Sequence, residues 1–176
     1  MPDAREMTVL VVDDEPNVRQ YLATLLRDAE FNVLTAEDGE QALEIIRERR
    51  PDFISLDLVM PRRSGHKLLF ELKRDPELAR IPVLIVTAHA RTDLGKADLD
   101  ELLDHGMMSG PGTYLEKPVS PRAYIDAVRR ALGLAEVQAT DDRIALREEL
   151  EDRMQMASPE QLRAALGALN KIRNKG

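Results

Sequence analysis

The stretch TVLVVDDEP, residues 8–16, runs a threonine and four apolar β-formers into two adjacent aspartates, a glutamate and a proline. TVLVV has the length and composition of a buried strand. Pro16 suits the first position of a helix. Val18, Tyr21, Leu22, Leu25 and Leu26 then fall on one helical face. A strand followed at once by a helix predicts a parallel sheet if the unit repeats. Side-by-side carboxylates at the junction repel one another unless something positive lies between them.

The unit does repeat. FNVLT (31–35) reads as a second strand, and Ala42, Leu43, Ile45 and Ile46 mark a helix that Pro51 ends. DFISL (52–56) precedes a helix through Leu68, Leu69 and Leu72, and IPVLIV (81–86) precedes one carrying Leu94, Leu99, Leu102 and Leu103. TYL (113–115) is a short fifth strand. Ser120 caps a last helix, with Pro121 in its first turn and Ala123, Ile125, Ala127, Val128, Ala131 and Leu132 within it. Five rounds of strand then helix predict a parallel sheet covered on both faces. Ligands of such folds sit at the carboxyl ends of the strands.

The residues found there share a chemistry. Asp13 and Asp14 follow strand one, Asp57 follows strand three, Thr87 follows strand four, and Lys117 lies two residues past strand five. Three carboxylates with no His or Cys among them suit a hard, oxygen-seeking cation such as Mg²⁺ rather than zinc. An aspartate can attack phosphorus as a nucleophile, and a metal and a lysine can neutralise the transferring phosphoryl oxygens. The set reads as a phospho-aspartate site. Singly, each residue has an ordinary structural explanation as a cap, turn or strand-end residue, and it is their common edge that carries the reading.

VVDDEP, SLDLVMP…SG, LIVTA and YLEKP, in this order, resemble the receiver domain of two-component response regulators over residues 7–133. The resemblance implies a flavodoxin-like five-stranded parallel sheet of order 2-1-3-4-5, with helices on both faces. It implies Asp57 as phosphoacceptor, Asp14 as a direct Mg²⁺ ligand, Asp13 as a second acidic group acting largely through water, and the backbone carbonyl of Val59 as a further ligand. Thr87 and Lys117 would bind the phosphoryl group, and the Lys117–Pro118 bond is often cis in such domains. Tyr114 matches the aromatic switch position, following Thr87 inward on phosphorylation. Val59 and His89 occupy the rim positions that affect phosphoryl hydrolysis. The donor would be a sensor histidine kinase or a phosphotransfer protein, and the chain a phosphoacceptor switch rather than an enzyme. A phosphohydrolase passing through aspartyl phosphate would want an acid–base aspartate where Val59 stands. A scaffold that works without phosphorylation is the other alternative.

The chain departs from the family in two places. The 30 residues from Thr87 to Lys117 exceed the usual interval by about two helical turns. Beyond the receiver, residues 136–176 form a C-terminal extension of two amphipathic helices, which pack on each other or on the receiver, or serve for dimerisation or docking of a partner. The first carries Leu146, Leu150, Met154 and Ala157 on one side. The second starts with a capping box, Ser158 and Gln161, and carries Leu162, Ala165, Leu166, Leu169 and Ile172.

Composition bounds the rest. The 176 residues carry a formal net charge of −7, and no basic stripe marks the extension, so output through protein contacts, with an unidentified downstream target and a possible homodimer, is expected rather than DNA binding. The absence of cysteine, of a signal peptide and of a long apolar run predicts a cytoplasmic protein that makes no use of a membrane. His66, His89 and His105 lack metal-ligand spacing and are expected at the surface.

Overall fold

The computed structural model describes residues 3–88, 114–134 and 142–173. Among them five strands form one parallel sheet: β1 Thr8–Val12, β2 Asn32–Ala36, β3 Phe53–Leu56, β4 Val83–Thr87 and β5 Tyr114–Glu116. Their order is β2-β1-β3-β4-β5, the flavodoxin-like arrangement. Three helices follow the first three strands, α1 Pro16–Asp28, α2 Gly39–Arg49 and α3 Ser64–Arg74. α4, Pro121–Ala131, follows β5, and two more helices extend the chain, α5 Asp142–Met156 and α6 Pro159–Arg173. The helix expected through Leu94, Leu99, Leu102 and Leu103, together with His89, His105 and the loop before β5, lies outside the described residues.

The central strands β1, β3 and β4 are buried on both faces because they are near-continuous apolar runs, as is usual for parallel strands. Side chains alternate across the sheet. Val9 and Val11 of β1 pack with Leu22, Leu25 and Leu26 of α1 and with Tyr124, Ile125 and Val128 of α4. Leu10 and Val12 point the other way, towards Ile46 of α2 and Leu68, Leu69 and Leu72 of α3. The helix ends obey local rules. Ser120 accepts a hydrogen bond from Ala123 N at 3.3 Å to cap α4, and Pro121 takes its first position. α2 stops at Arg49, Arg50 adopts the left-handed conformation, and Pro51 follows. The capping box of α6 is reciprocal, with Ser158 N donating to Gln161 Oε1 at 2.9 Å and Gln161 N donating to Ser158 Oγ at 3.3 Å.

α5 lies against α1 and α4. The Arg147 guanidinium reaches Asp28 Oδ2, through Nε at 2.8 Å and Nη2 at 2.6 Å. Glu148 Oε1 accepts from Ser120 Oγ and from Arg122 N, both at 3.0 Å, and so adds a negative charge at the start of α4. Tyr21 OH donates to Glu151 Oε1 at 2.6 Å. Burial pushes the Tyr21 phenol above its ordinary range, and the Glu151 carboxylate adds to the shift. No described helix is long and apolar enough to cross a membrane.

Candidate functional site

The ends of β1 and β3 lie side by side, and the backbone ties their exits together. Asp57 N donates to Val12 O at 2.9 Å, and Asp13 N donates to Ala36 O at 3.2 Å. This register sets Asp13, Asp14 and Asp57 at one edge, where one carboxylate oxygen from each lies within 4.8 Å of the other two. Asp13 and Asp57 are buried and Asp14 is half-buried. β5 brings in the cation, because Lys117 N donates to Thr87 O at 2.9 Å and holds the strand exits of β4 and β5 together. The Lys117 ammonium sits 2.8 Å from Asp13 Oδ2 and 2.9 Å from Asp57 Oδ2, with Glu15 Oε1 at 3.2 Å on the exposed side. The Lys117–Pro118 peptide is cis.

The five residues read from the strand ends therefore meet at one edge. Thr87 is buried at the end of β4, paired in register with Glu116, and Tyr114 stands opposite Ile85 at the sheet margin, about half exposed. Val59 is exposed, and its N–H donates to Asp57 Oδ1 at 2.9 Å, orienting that carboxylate. His66 is half-buried rather than at the surface, being carried on the inner flank of α3 beside Gly65.

Electrostatics follow from this packing. Burial pushes the Asp57 carboxyl above the usual carboxylate range, against the opposing pull of the Lys117 ammonium and the Val59 N–H. Burial alone would lower Lys117, but its hydrogen bonds to Asp13 and Asp57 outweigh that and hold it above the ordinary lysine range. Three carboxylates against one well-placed ammonium leave the cluster short of positive charge. An all-oxygen donor set of this size and charge fits a hard divalent cation.

Several supporting groups had no signal in the sequence. Arg19, one turn into α1, donates from Nη1 to Asp13 O at 2.6 Å. Glu15 N donates to Asp13 Oδ1 at 2.9 Å, which fixes the carboxylate from below. Tyr124 of α4 is fully buried beneath the site; burial raises its phenol above the ordinary range, with Ser55 of β3 acting in the opposite sense. Gly65 is needed for a close approach. A Cβ there would lie 2.4 Å from Asp57 O and 2.8 Å from Leu58 Cα, both backbone atoms.

Comparison with known proteins supplies the family. A family model for the response regulator receiver domain matches residues 9–129. The chain belongs to this family. Among curated proteins, this receiver is 37% identical over 135 residues to the phosphate regulon transcriptional regulatory protein PhoB of Pseudomonas aeruginosa, covering 75% of this chain and 56% of that protein. It is 34% identical over 130 residues to the DNA-binding response regulator MtrA of Mycolicibacterium smegmatis, covering 74% and 52%. The chain thus spans about half the length of the curated relatives it matches. Among solved structures, it is similar to the chemotaxis response regulator CheY4 of Vibrio cholerae, with a TM-score of 0.59 and 28% identity over 71% of this chain and 98% of that one. A putative response regulator from Chloroflexus aurantiacus gives 0.61 and 29%, over 72% and 98%. The chain is accordingly a response regulator receiver of two-component signalling, a phosphoacceptor class rather than a class of enzymes.

Proposed function

We propose that this receiver is switched by phosphorylation of Asp57, with a phosphohistidine on a sensor histidine kinase or phosphotransfer protein as donor. The observation that carries the reading is the Lys117 ammonium, held within 2.9 Å of both Asp13 and Asp57 at the edge of a three-carboxylate cluster. An Asp57 carboxylate oxygen attacks phosphorus, the bond from phosphorus to the imidazole nitrogen breaks, and its electron pair leaves with the imidazole. The product is an acyl phosphate, which water later cleaves to inorganic phosphate. Asp13, Asp14, Asp57 and the carbonyl of Val59 would hold Mg²⁺. When bound, the ion supplies positive charge to the phosphoryl oxygens.

The protein's own groups do the remaining work. Val59 N–H orients the Asp57 carboxylate, and Lys117 exchanges its contact with Asp57 for one with the phosphoryl group. Thr87 donates its hydroxyl to another phosphoryl oxygen, and Tyr114 follows Thr87 inward and remodels the surface around β5. Val59, and His89 by the rim position that the resemblance gives it, would affect the lifetime of the phosphoryl group. In this sense the chain assists its own phosphorylation and dephosphorylation.

Residues 7–133 would form the switch and 136–176 the output element, in the cytoplasm. Output through protein contacts is supported by the near-neutral extension, in which the acidic charge of α5 balances the basic charge of α6. The relatives named as transcriptional or DNA-binding regulators are about twice as long, so those properties stay with them.

Intact mass after incubation with a small phosphodonor tests the reading. A gain of one phosphoryl group is expected with Mg²⁺, and none with chelator or in Asp57→Asn. Uptake that persists in Asp57→Asn would overturn the assignment. Continuous phosphate release over many turnovers would favour a phosphohydrolase instead.

A further inference from the structure

α5 presents two different faces. One is fixed to the receiver by Arg147, Glu148 and Glu151, through Asp28, the start of α4 and Tyr21. The other, about a third of a turn around the helix, carries Leu146, Leu150 and Met154, which are 50–61% exposed. α6 begins after only Ala157 and Ser158, and its Leu166 and Leu169 are 61% and 58% exposed. A lone 15-residue helix is marginal in water, and most helical stability comes from burying an apolar face. Neither stripe is covered among the described residues.

Charge identifies the partner. By sequence, α5 carries five acidic and three basic residues, net −2, and α6 carries one acidic and three basic, net +2. With Arg147, Glu148 and Glu151 set aside as bound to the receiver, Asp142, Glu149 and Asp152 against Arg143 and Arg153 still leave α5 acidic. Each copy of the chain therefore holds both halves of a complementary pair, an acidic stripe-bearing helix already anchored and a basic one without a seat. An unrelated partner would need both kinds of helix to cover both stripes. A two-fold axis between identical chains covers them with two equal contacts and leaves nothing open.

We propose that this protein self-associates through its C-terminal helices, α6 of each copy lying along the Leu146, Leu150 and Met154 stripe of α5 in the other. The pairing is independent of Asp57. It makes the anchored α5 the rigid element that sets how two receivers face each other.

Size-exclusion chromatography with light scattering of the full chain gives the first test, and twice the 19.8 kDa chain mass is expected. Leu166→Gln with Leu169→Gln should halve that mass, while the receiver keeps its circular dichroism and its phosphodonor reaction. The decisive test exchanges charges. One chain carries Arg163→Glu and Lys171→Glu, making α6 net −2. A second carries Glu149→Lys and Asp152→Lys, making α5 net +2, and keeps Glu148 and Glu151 for the receiver. Each alone should run at the single-chain mass, and an equimolar mixture should recover the doubled mass. A wild-type chain that stays at 19.8 kDa at high concentration overturns the proposal, in favour of α6 folding back on its own α5 or meeting another protein. So does a dimer that survives both charge reversals, or a mixture that stays monomeric.

Discussion

Replacing Lys117 with methionine keeps the aliphatic stem and removes the only ammonium that touches both Asp13 and Asp57 among the described residues. The lysine side chain is 10% exposed and the two carboxylates 1% and 4%, so water screens these contacts poorly. At an effective dielectric constant of about 20, each contact is worth roughly 6 kcal/mol before desolvation. Carboxylate oxygens within 4.8 Å of one another repel by roughly 3 kcal/mol or more on the same footing. Desolvation of the lysine offsets much of the attraction, and removal of one partner from a buried ion pair costs about 3–5 kcal/mol. For a chain of this size that is a fall of about 6–20 °C in melting temperature. Without Lys117, Asp57 loses what now opposes its upward shift. A carboxyl raised in the folded state binds more protons there than in the unfolded chain, so stability falls as pH rises through the carboxylate range. The deficit of Lys117→Met should therefore be small in acid and full at neutral pH. Mg²⁺ at about a hundred times its dissociation constant should return about 2.7 kcal/mol. Urea melts in chelator and in Mg²⁺, from acid to neutral pH, read all of this. A deficit that is independent of pH and untouched by Mg²⁺ would refute the electrostatic reasoning and leave only lost packing.

Other outcomes follow from particular contacts. Gly65→Ala forces a Cβ onto backbone atoms of Asp57 and Leu58 that cannot swing aside, and a loss of about 1–3 kcal/mol with impaired phosphorylation is expected; a neutral urea melt would mean that the loop is loose. Tyr21 is raised in the folded state, so its contribution is present below the ordinary phenol range and is lost as pH climbs above it. Wild-type stability should fall between about pH 9 and 11 more steeply than that of Tyr21→Phe, and parallel curves would contradict the Glu151 contact. Glu148→Ala removes the acceptor for Ser120 Oγ and Arg122 N and should cost about 1 kcal/mol, with faster amide exchange at Arg122; unchanged exchange there would show that α5 is not seated on α4.

The sheet was legible in the sequence because buried parallel strands leave continuous apolar runs. β1 matched residue for residue, whereas β2, β4 and β5 each sit one or two residues later than composition suggests. Those ends are set by hydrogen-bond register, as where Ala36 O accepts from Asp13 N, and apolar content does not record register. The site was legible because the topology delivers whatever follows a strand to one edge, so Asp13, Asp14, Asp57, Thr87 and Lys117 could be read without knowing distances. Tyr124 was not, since a tyrosine in an amphipathic helix carries no mark of how deeply its ring is sunk. The seat of α5 was also hidden. Arg147–Asp28 and Tyr21–Glu151 join residues 119 and 130 apart in the chain, and any of the neighbouring acidic residues of α5 could have made such pairs.

Of the two carboxylates that Lys117 touches, Asp57 rather than Asp13 is proposed to take the phosphoryl group. Borohydride reduction of the phosphorylated protein, followed by peptide mapping, converts an acyl phosphate into an alcohol at the residue that carried it. Homoserine is expected at position 57, formed only when Mg²⁺ was present during phosphorylation. Homoserine at position 13 or 14, or a phosphoryl group that resists borohydride and stays on a hydroxyl or imidazole side chain, would contradict that assignment.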